Sequence, residues 1–187
     1  MLLLWPHACQ GTRIARLGGA SLGRTGLALF TDGGKYVVAR MDPGMTMMDR
    51  VYKHEVHVTA AAVDANGHAN NVAYIQWMQD AAIHHARATG STAIAESIGA
   101  TWVVRTHRVE YLRPVFAGET IRVLTWVANF RKVQSLRKYK LVRAGDETVV
   151  AQAETDWVFV DAKTGRPRAI PDEIRNTFSI VSKEKEP

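Results

Sequence analysis

"VDANGHANNVAYIQWM" (63–78) is the stretch on which the reading of this chain turns. Asp64, Asn66, His68, Asn70 and Asn71 fall within eight positions, after which the sequence becomes apolar. Asn66-Gly67 is a turn signal. From Asn70 to Thr89 the spacing is helical: Tyr74, Trp77, Ala81 and Ala88 form one stripe, and Ile75, Met78, Ala82 and Ala86 the next. Gln76, Gln79, Asp80 and Arg87 take the opposite arc. An apolar face this wide predicts a helix largely surrounded by protein, stopped at Gly90. A crowd of hydrogen-bonding side chains thus sits on a tight turn at the start of a buried helix.

Outward from that turn the chain is mostly β. "VYKHEVHVTA" (51–60) is rich in β-branched and aromatic residues and reads as a strand. A short second helix is expected around "STAIAESIG" (91–99). Four more strands are expected at 101–112, 119–130, 133–144 and 147–161, broken at "AGE", "FRKVQ" and "RAGDE". The last alternates, with Val149, Ala151, Ala153, Thr155, Trp157 and Phe159 on one face and Gln152, Glu154 and Asp156 on the other. Strand, long helix, then four antiparallel strands predict an α+β domain, one curved antiparallel β-sheet wrapped around a long central helix. "DAKTGRPRAIPDEIRNTFSI" (161–180) closes it as a loop and a short helix, and 179–187 form a charged tail.

With 187 residues, 47% of them hydrophobic and 22% charged, the chain can bury one core. The single cysteine, Cys9, excludes an intrachain disulfide framework or a cysteine metal cluster, and fits a reducing compartment, hence a cytoplasmic location. No apolar run is long enough to span a membrane as a helix, and no membrane partner is expected. The net charge of +6 is partly local: in residues 1–44, Arg13, Arg16, Arg24, Lys35 and Arg40 face only Asp32 and Asp42. The modest remainder reads as a soluble surface and not as a nucleic-acid binder.

Residues 1–44 are glycine-rich and show no sustained period. "MLLLW" lacks the leading basic residues of a signal peptide and is cut by Pro6. Residues 1–48 are therefore expected to be a disordered extension or to reflect a mis-assigned start, since Met45, Met47 and Met48 directly precede the first strand. "GASLG" (19–23) matches the nucleophile-elbow pattern at Ser21, but no good strand precedes it, so a flexible glycine-rich segment is the better reading. The folded domain is expected over residues 49–178.

The pattern strand–"D-x-N-G-H-x-N-N-x-x-Y"–apolar helix, followed by four antiparallel strands, resembles the hotdog-fold thioesterases of the 4-hydroxybenzoyl-CoA thioesterase type. "DANGHANNVAYIQWM" is the specific part, and "VEYLRPVFAGE" (109–119) and "FVDAKTGRPRAIP" (159–171) are similar too. The resemblance implies a hotdog fold, hydrolysis of acyl-CoA or acyl-carrier-protein thioesters, and a site shared between two subunits, as a homodimer or a dimer of dimers. Plant acyl-carrier-protein thioesterases share the D-x-N-x-H-x-N-N spacing, which implies Asp64, Asn66 and His68 as catalytic positions. Their acid–thiol pair falls here on Pro114 and Val115, a departure that leaves Asp64 as the main candidate.

Thioester hydrolysis needs a nucleophile, a stabiliser for the tetrahedral oxyanion and control of water. A carboxylate at a strand end, beside an apolar helix, is partly desolvated, the condition in which it serves as a base near neutral pH. Asp64 either activates water or attacks the carbonyl itself. The helix start at Asn70, Asn71 and Val72 brings unpaired N–H groups and the positive end of the helix dipole, a candidate oxyanion hole. Asn70 or Asn71 equally suits a plain helix cap, and Asp, Asn and Gly make turns without any chemistry.

Tyr74 and Trp77 read as core or subunit contacts, with Tyr74 also a candidate for lining the acyl pocket. In "FRKVQSLRKYKLVR" (130–143), Arg131 and Lys132 at a hairpin turn are the best-placed candidates for the phosphates of coenzyme A; a solvated strand face is the alternative. His54 and His57 point to opposite faces of a strand and His84-His85 are not one helical turn apart, so no metal site is expected. No cofactor is expected either, coenzyme A being part of the substrate. Two other functions fit the fold: a hydratase or dehydratase, whose D-x-N-P-x-H pattern differs from this one in spacing and in Gly67, and a non-catalytic acyl-CoA-binding domain.

Overall fold

A computed structural model of the chain describes the backbone of residues 27–32 and 35–40, and residues 50–187. The chain divides into two units, Met1–Gly44 and Met45–Pro187. In the first, β1 (Leu27–Asp32) and β2 (Lys35–Arg40) form an antiparallel ribbon in register from Leu27↔Arg40 to Asp32↔Lys35. The Ser21 motif and the parts of the 1–48 leader outside this ribbon lie outside the described residues.

The second unit contains β3 (Tyr52–His57), α1 (Asn71–Ala88), α2 (Ser91–Ser97), β4 (Ala100–Tyr111), β5 (Thr120–Phe130), β6 (Gln134–Arg143), β7 (Val149–Asp161) and the short α3 (Asp172–Arg175). Five strands form one sheet in the order β3-β5-β6-β7-β4, each pair antiparallel. The long hairpins β5–β6 and β6–β7 build its centre, and the two strands flanking the helices in sequence become its edges.

The helix α1 lies on one face of this sheet. Tyr74, Trp77, Met78, Ala81 and Ala82 are buried against Ile121, Val123, Tyr139, Leu141, Val150 and Ala151. The alanines at 81 and 82 let the helix backbone approach the sheet, and Met78 is fully enclosed. Asn70 caps the helix, its Oδ1 accepting from the Ala73 N–H at 2.8 Å. Gly90, at φ 78°, supplies the left-handed residue that ends the segment. A second cluster, with Ala95, Phe159, Ile170 and Ile174, closes the other end under α2 and α3.

Two details depart from strict alternation. A bulge between Leu141↔Ala151 and Val142↔Val149 inserts Val150 into the core in place of Val149. The basic stretch 130–143 is also not one face: Arg137 is buried on the helix side, whereas Lys138 and Lys140 line the opposite face of the sheet. Arg137 donates from Nη1 to His85 Nδ1 (2.9 Å) and Thr125 Oγ1 (3.2 Å), and its guanidinium lies 5.6 Å from the Phe178 ring centre. The charged tail folds back. Ile180 bridges to Val127, beyond the part of β5 that β3 covers, and Glu186 pairs with Lys138 at 2.6 Å.

Candidate active site

The polar turn is a closed loop held at its neck. Val63 and Ala69 form an antiparallel bridge, and the Asp64 N–H donates to the His68 carbonyl at 3.0 Å. Gly67 sits at φ 81°, in the left-handed region that glycine enters without strain, and its N–H returns to the Asp64 carbonyl at 3.0 Å. The carboxylate of Asp64 is half-buried and aimed along its own turn. Oδ1 accepts from the Asn66 backbone N–H at 2.8 Å, and Oδ2 faces Asn66 Nδ2 at 3.4 Å. This is an Asx turn, and it fixes the orientation of the carboxylate.

The turn is tied to the rest of the domain on two sides. The Ala69 N–H donates to the Val115 carbonyl at 2.7 Å, and the Asn70 N–H to the Ala62 carbonyl at 2.8 Å. Asn70 Nδ2 reaches the same Ala62 carbonyl at 3.1 Å, so one side chain caps α1 and pins the entry to the turn. His68 is half-buried, with Nδ1 3.5 Å from the Ala69 carbonyl, a long contact that leaves the ring loosely held.

At the start of α1, the N–H groups of Asn71 and Val72 have no hydrogen-bond partner among the described residues. Asn71 takes part through its carbonyl, which accepts from Tyr111 Oη at 3.3 Å. Val72 is 74% exposed. Tyr74 is buried, packed 5.1 Å from both Trp77 and Tyr111, edge-on to the latter. Burial pushes both the Tyr74 and the Tyr111 phenols up, so each remains a proton donor at neutral pH.

The sequence reading did not single out the loop between β4 and β5 as a structural support of the site. Arg143 reaches it from β6: Nη2 donates to the Pro114 carbonyl at 2.7 Å and Nε pairs with Glu119 at 3.0 Å. Glu119 in turn accepts from the Phe116 N–H at 3.0 Å. Val115, one of the two positions matching the plant enzymes' acid–thiol pair, is fully buried and offers its carbonyl to Ala69. Tyr111, Leu112, Phe116 and Val72 are large apolar residues left exposed around the turn. "VEYLRPVFAGE" carried the signal through its similarity to the family, but only the fold places it here.

The candidate residues divide into two groups. Asp64, Asn66, His68, Asn70, Asn71, Val72 and Tyr74 come together at one end of the helix–sheet layer. Arg131 and Lys132 do not join them within one chain. They are exposed on the β5–β6 turn, and the 11 residues of β5 separate that turn from Thr120, next to the site loop, by roughly 30 Å at about 3.3 Å per residue. Their carbonyls serve another purpose: that of Arg131 accepts from Arg175 Nη2 at 2.6 Å and that of Lys132 from the Ile170 N–H at 2.9 Å.

Comparison with known proteins bears on the family and the fold. The profile of the thioesterase-like superfamily matches residues 58–178. A palmitoyl-acyl carrier protein thioesterase of Cuphea hookeriana is 26% identical over 135 residues, 67% of this chain and 32% of that protein. The chain thus spans about a third of the plant relatives' length. The acyl-CoA thioester hydrolase YbgC of Escherichia coli is 27% identical over 135 residues, 71% of this chain and 98% of that protein. Among solved structures, the 1,4-dihydroxy-2-naphthoyl-CoA thioesterase Slr0204 of Synechocystis superposes with a TM-score of 0.62 at 16% identity, over 68% of this chain and 94% of that one, a likeness of fold. A profile spanning the turn, the helix and all four following strands, on a sheet wrapped around one helix, leaves one assignment: this chain belongs to the thioesterase-like superfamily and has the hotdog fold.

Proposed function

We propose that this chain hydrolyses an acyl thioester of coenzyme A or of acyl carrier protein to the free acid and thiol, with Asp64 as the reacting carboxylate. The observation that carries the reading is the Asx turn. It holds an ionisable carboxylate at a helix start whose first N–H groups are unpaired, beside exposed apolar side chains. Asp64 activates water or attacks the thioester carbonyl, and the negative charge that develops on the carbonyl oxygen is met by N–H groups at a helix start. Asn66 holds the carboxylate in place, and His68 lies near enough to the turn to orient water or the thioester. Tyr74 and Tyr111 line the approach from the apolar side.

The reading extends to assembly. Among the described residues the sheet ends on β3 and on β4, a 12-residue edge. An open edge of that length beside exposed Tyr111, Leu112 and Phe116 favours pairing with a second copy, giving a homodimer or a dimer of dimers. In such an assembly Arg131 and Lys132 are available to the coenzyme A phosphates of a neighbouring site. The reaction as written requires no cofactor, and the cytoplasm, where such thioesters are made and used, is the proposed location. No described helix is long and apolar enough to cross a membrane.

The test is thiol release from a panel of acyl-CoA and acyl-carrier-protein thioesters of varied chain length and aromatic character. Turnover of at least one class is expected. Binding without thiol release across the panel would instead make the chain an acyl-thioester-binding domain.

A further inference from the structure

Away from the turn, two histidine side chains meet ring nitrogen to ring nitrogen. His54 on β3 and His84 on α1 are 30 residues apart in sequence, yet their Nδ1 atoms lie 3.2 Å from each other. The rings meet edge-on, with centres 4.6 Å apart and planes inclined at 68°. Asp80 stands one helical turn before His84, on the same side of α1. We propose that His54, His84 and Asp80 form a site for a divalent transition-metal ion of the zinc, cobalt or nickel kind, which clips the edge strand β3 to the central helix.

The distance carries the argument. A metal–imidazole bond is about 2.0–2.1 Å long. Two such bonds at angles from about 90° to 110° hold their nitrogens about 2.9–3.4 Å apart, and the observed separation falls inside that interval. Without an ion, two facing Nδ1 atoms share a single proton and make one hydrogen bond at most. Two imidazoles and one carboxylate suit zinc and its neighbours in the first transition row and not the oxygen-seeking magnesium or calcium.

The third ligand needs one movement. Among the described residues no three ligating groups already converge on a point. The Asp80 carboxylate accepts from Gln76 Nε2 at 2.9 Å, and it must exchange that bond for the ion by rotating about its side-chain bonds. Asp80 is half-buried and His84 exposed, so the site opens to solvent and the remaining positions fall to water. Such a clip has a structural use: β3 is a six-residue strand at the sheet edge, held laterally by β5 alone among the described residues.

The experiment does not involve hydrolysis, so its outcome is separate from that of the thioesterase reading. The full chain, without a histidine tag and freed of metal by chelator, is titrated with Zn²⁺ by calorimetry and with Co²⁺ by visible absorption. One ion per chain is expected, together with a rise in Tm on adding Zn²⁺. His54→Ala and His84→Ala should each remove the stoichiometric binding and the Tm rise, Asp80→Asn should weaken binding at least tenfold, and His57→Ala should change neither. His84→Ala places a strong helix former at an exposed helical position, so loss of binding there is not loss of fold. Absence of binding to the full chain, or undiminished binding in the His54→Ala/His84→Ala double variant, would overturn the proposal.

Discussion

Arg137 and His85 meet inside the helix–sheet layer, the guanidinium Nη1 donating to the imidazole Nδ1 at 2.9 Å, with no carboxylate paired to the arginine among the described residues. A buried cation is costly unless hydrogen-bonded. Here it is met by a neutral histidine, by Thr125, by the face of Phe178, and by the C-terminal half of α1, where the helix dipole is negative. Burial, and then the Arg137 charge, lower the pKa of His85 to about 3.

That depression has a sign in the pH dependence of stability. Above pH 6.5 His85 is neutral in both the folded and the unfolded chain. As pH falls from 6.5 towards 3 the unfolded chain takes up a proton that the folded chain refuses, so folding stability declines. The slope from this one group is at most about 1.4 kcal/mol per pH unit. His54 and His107, both lowered mainly by burial, add to it. In His85→Gln, whose amide oxygen still accepts from Arg137, urea denaturation between pH 7 and 5 should show a visibly shallower decline than the parent chain. Identical slopes would mean that His85 is not neutral in the fold.

Asp64→Asn keeps an oxygen for the Asn66 N–H and so keeps the Asx turn, while removing the base. Turnover should fall by about two orders of magnitude or more, with an unchanged Tm. A well-folded Asp64→Asn variant with parental turnover removes Asp64 from the mechanism.

Asn70 joins two bonds in one side chain, the cap to Ala73 and the tie to Ala62. Asn70→Ala should cost about 1–2 kcal/mol in chemical denaturation. Asn70→Asp retains the acceptor for Ala73 and loses the donor to Ala62, so its cost should lie between the two. An Asp variant as unstable as the Ala variant would mean that the tie, and not the cap, dominates.

The Met45–Pro187 unit holds the whole five-stranded sheet and its helices. A chain shortened to begin at Met48 is therefore expected to unfold cooperatively near the parental Tm and to release thiol at the parental rate. Aggregation, or a lost activity, would make the leader part of the working domain.

Light scattering should give the mass of two or four chains. Charged substitutions on the apolar rim, Leu112→Asp or Phe116→Asp, are expected to shift that mass towards the monomer and to lower turnover together. An active monomer at micromolar concentration would place every element of the site within one chain.

Sequence alone determined most of the elements of the Met45–Pro187 unit. The helix expected over 70–89 is Asn71–Ala88, and the strands expected at 101–112, 119–130 and 133–144 each fall within one residue of β4, β5 and β6 at both ends. Periods of 3.6 and 2 are local properties, set by which face of each segment must leave water. The turn at 63–69 was legible for the same reason: Asx and glycine chemistry acts over two or three residues. Tertiary structure alone decided what faces what. Arg137 lies in a basic run and reads as solvated, but the register of β6 turns it inward onto His85, 52 residues away. His54 and His84 have no visible partner until β3 takes its place beside β5 and under α1. The bulge at Val150 shifts one residue of β7 into the core against its own alternation. Strand order and register are chosen by the packing of the whole layer, a balance of distant contacts that no short window of sequence contains.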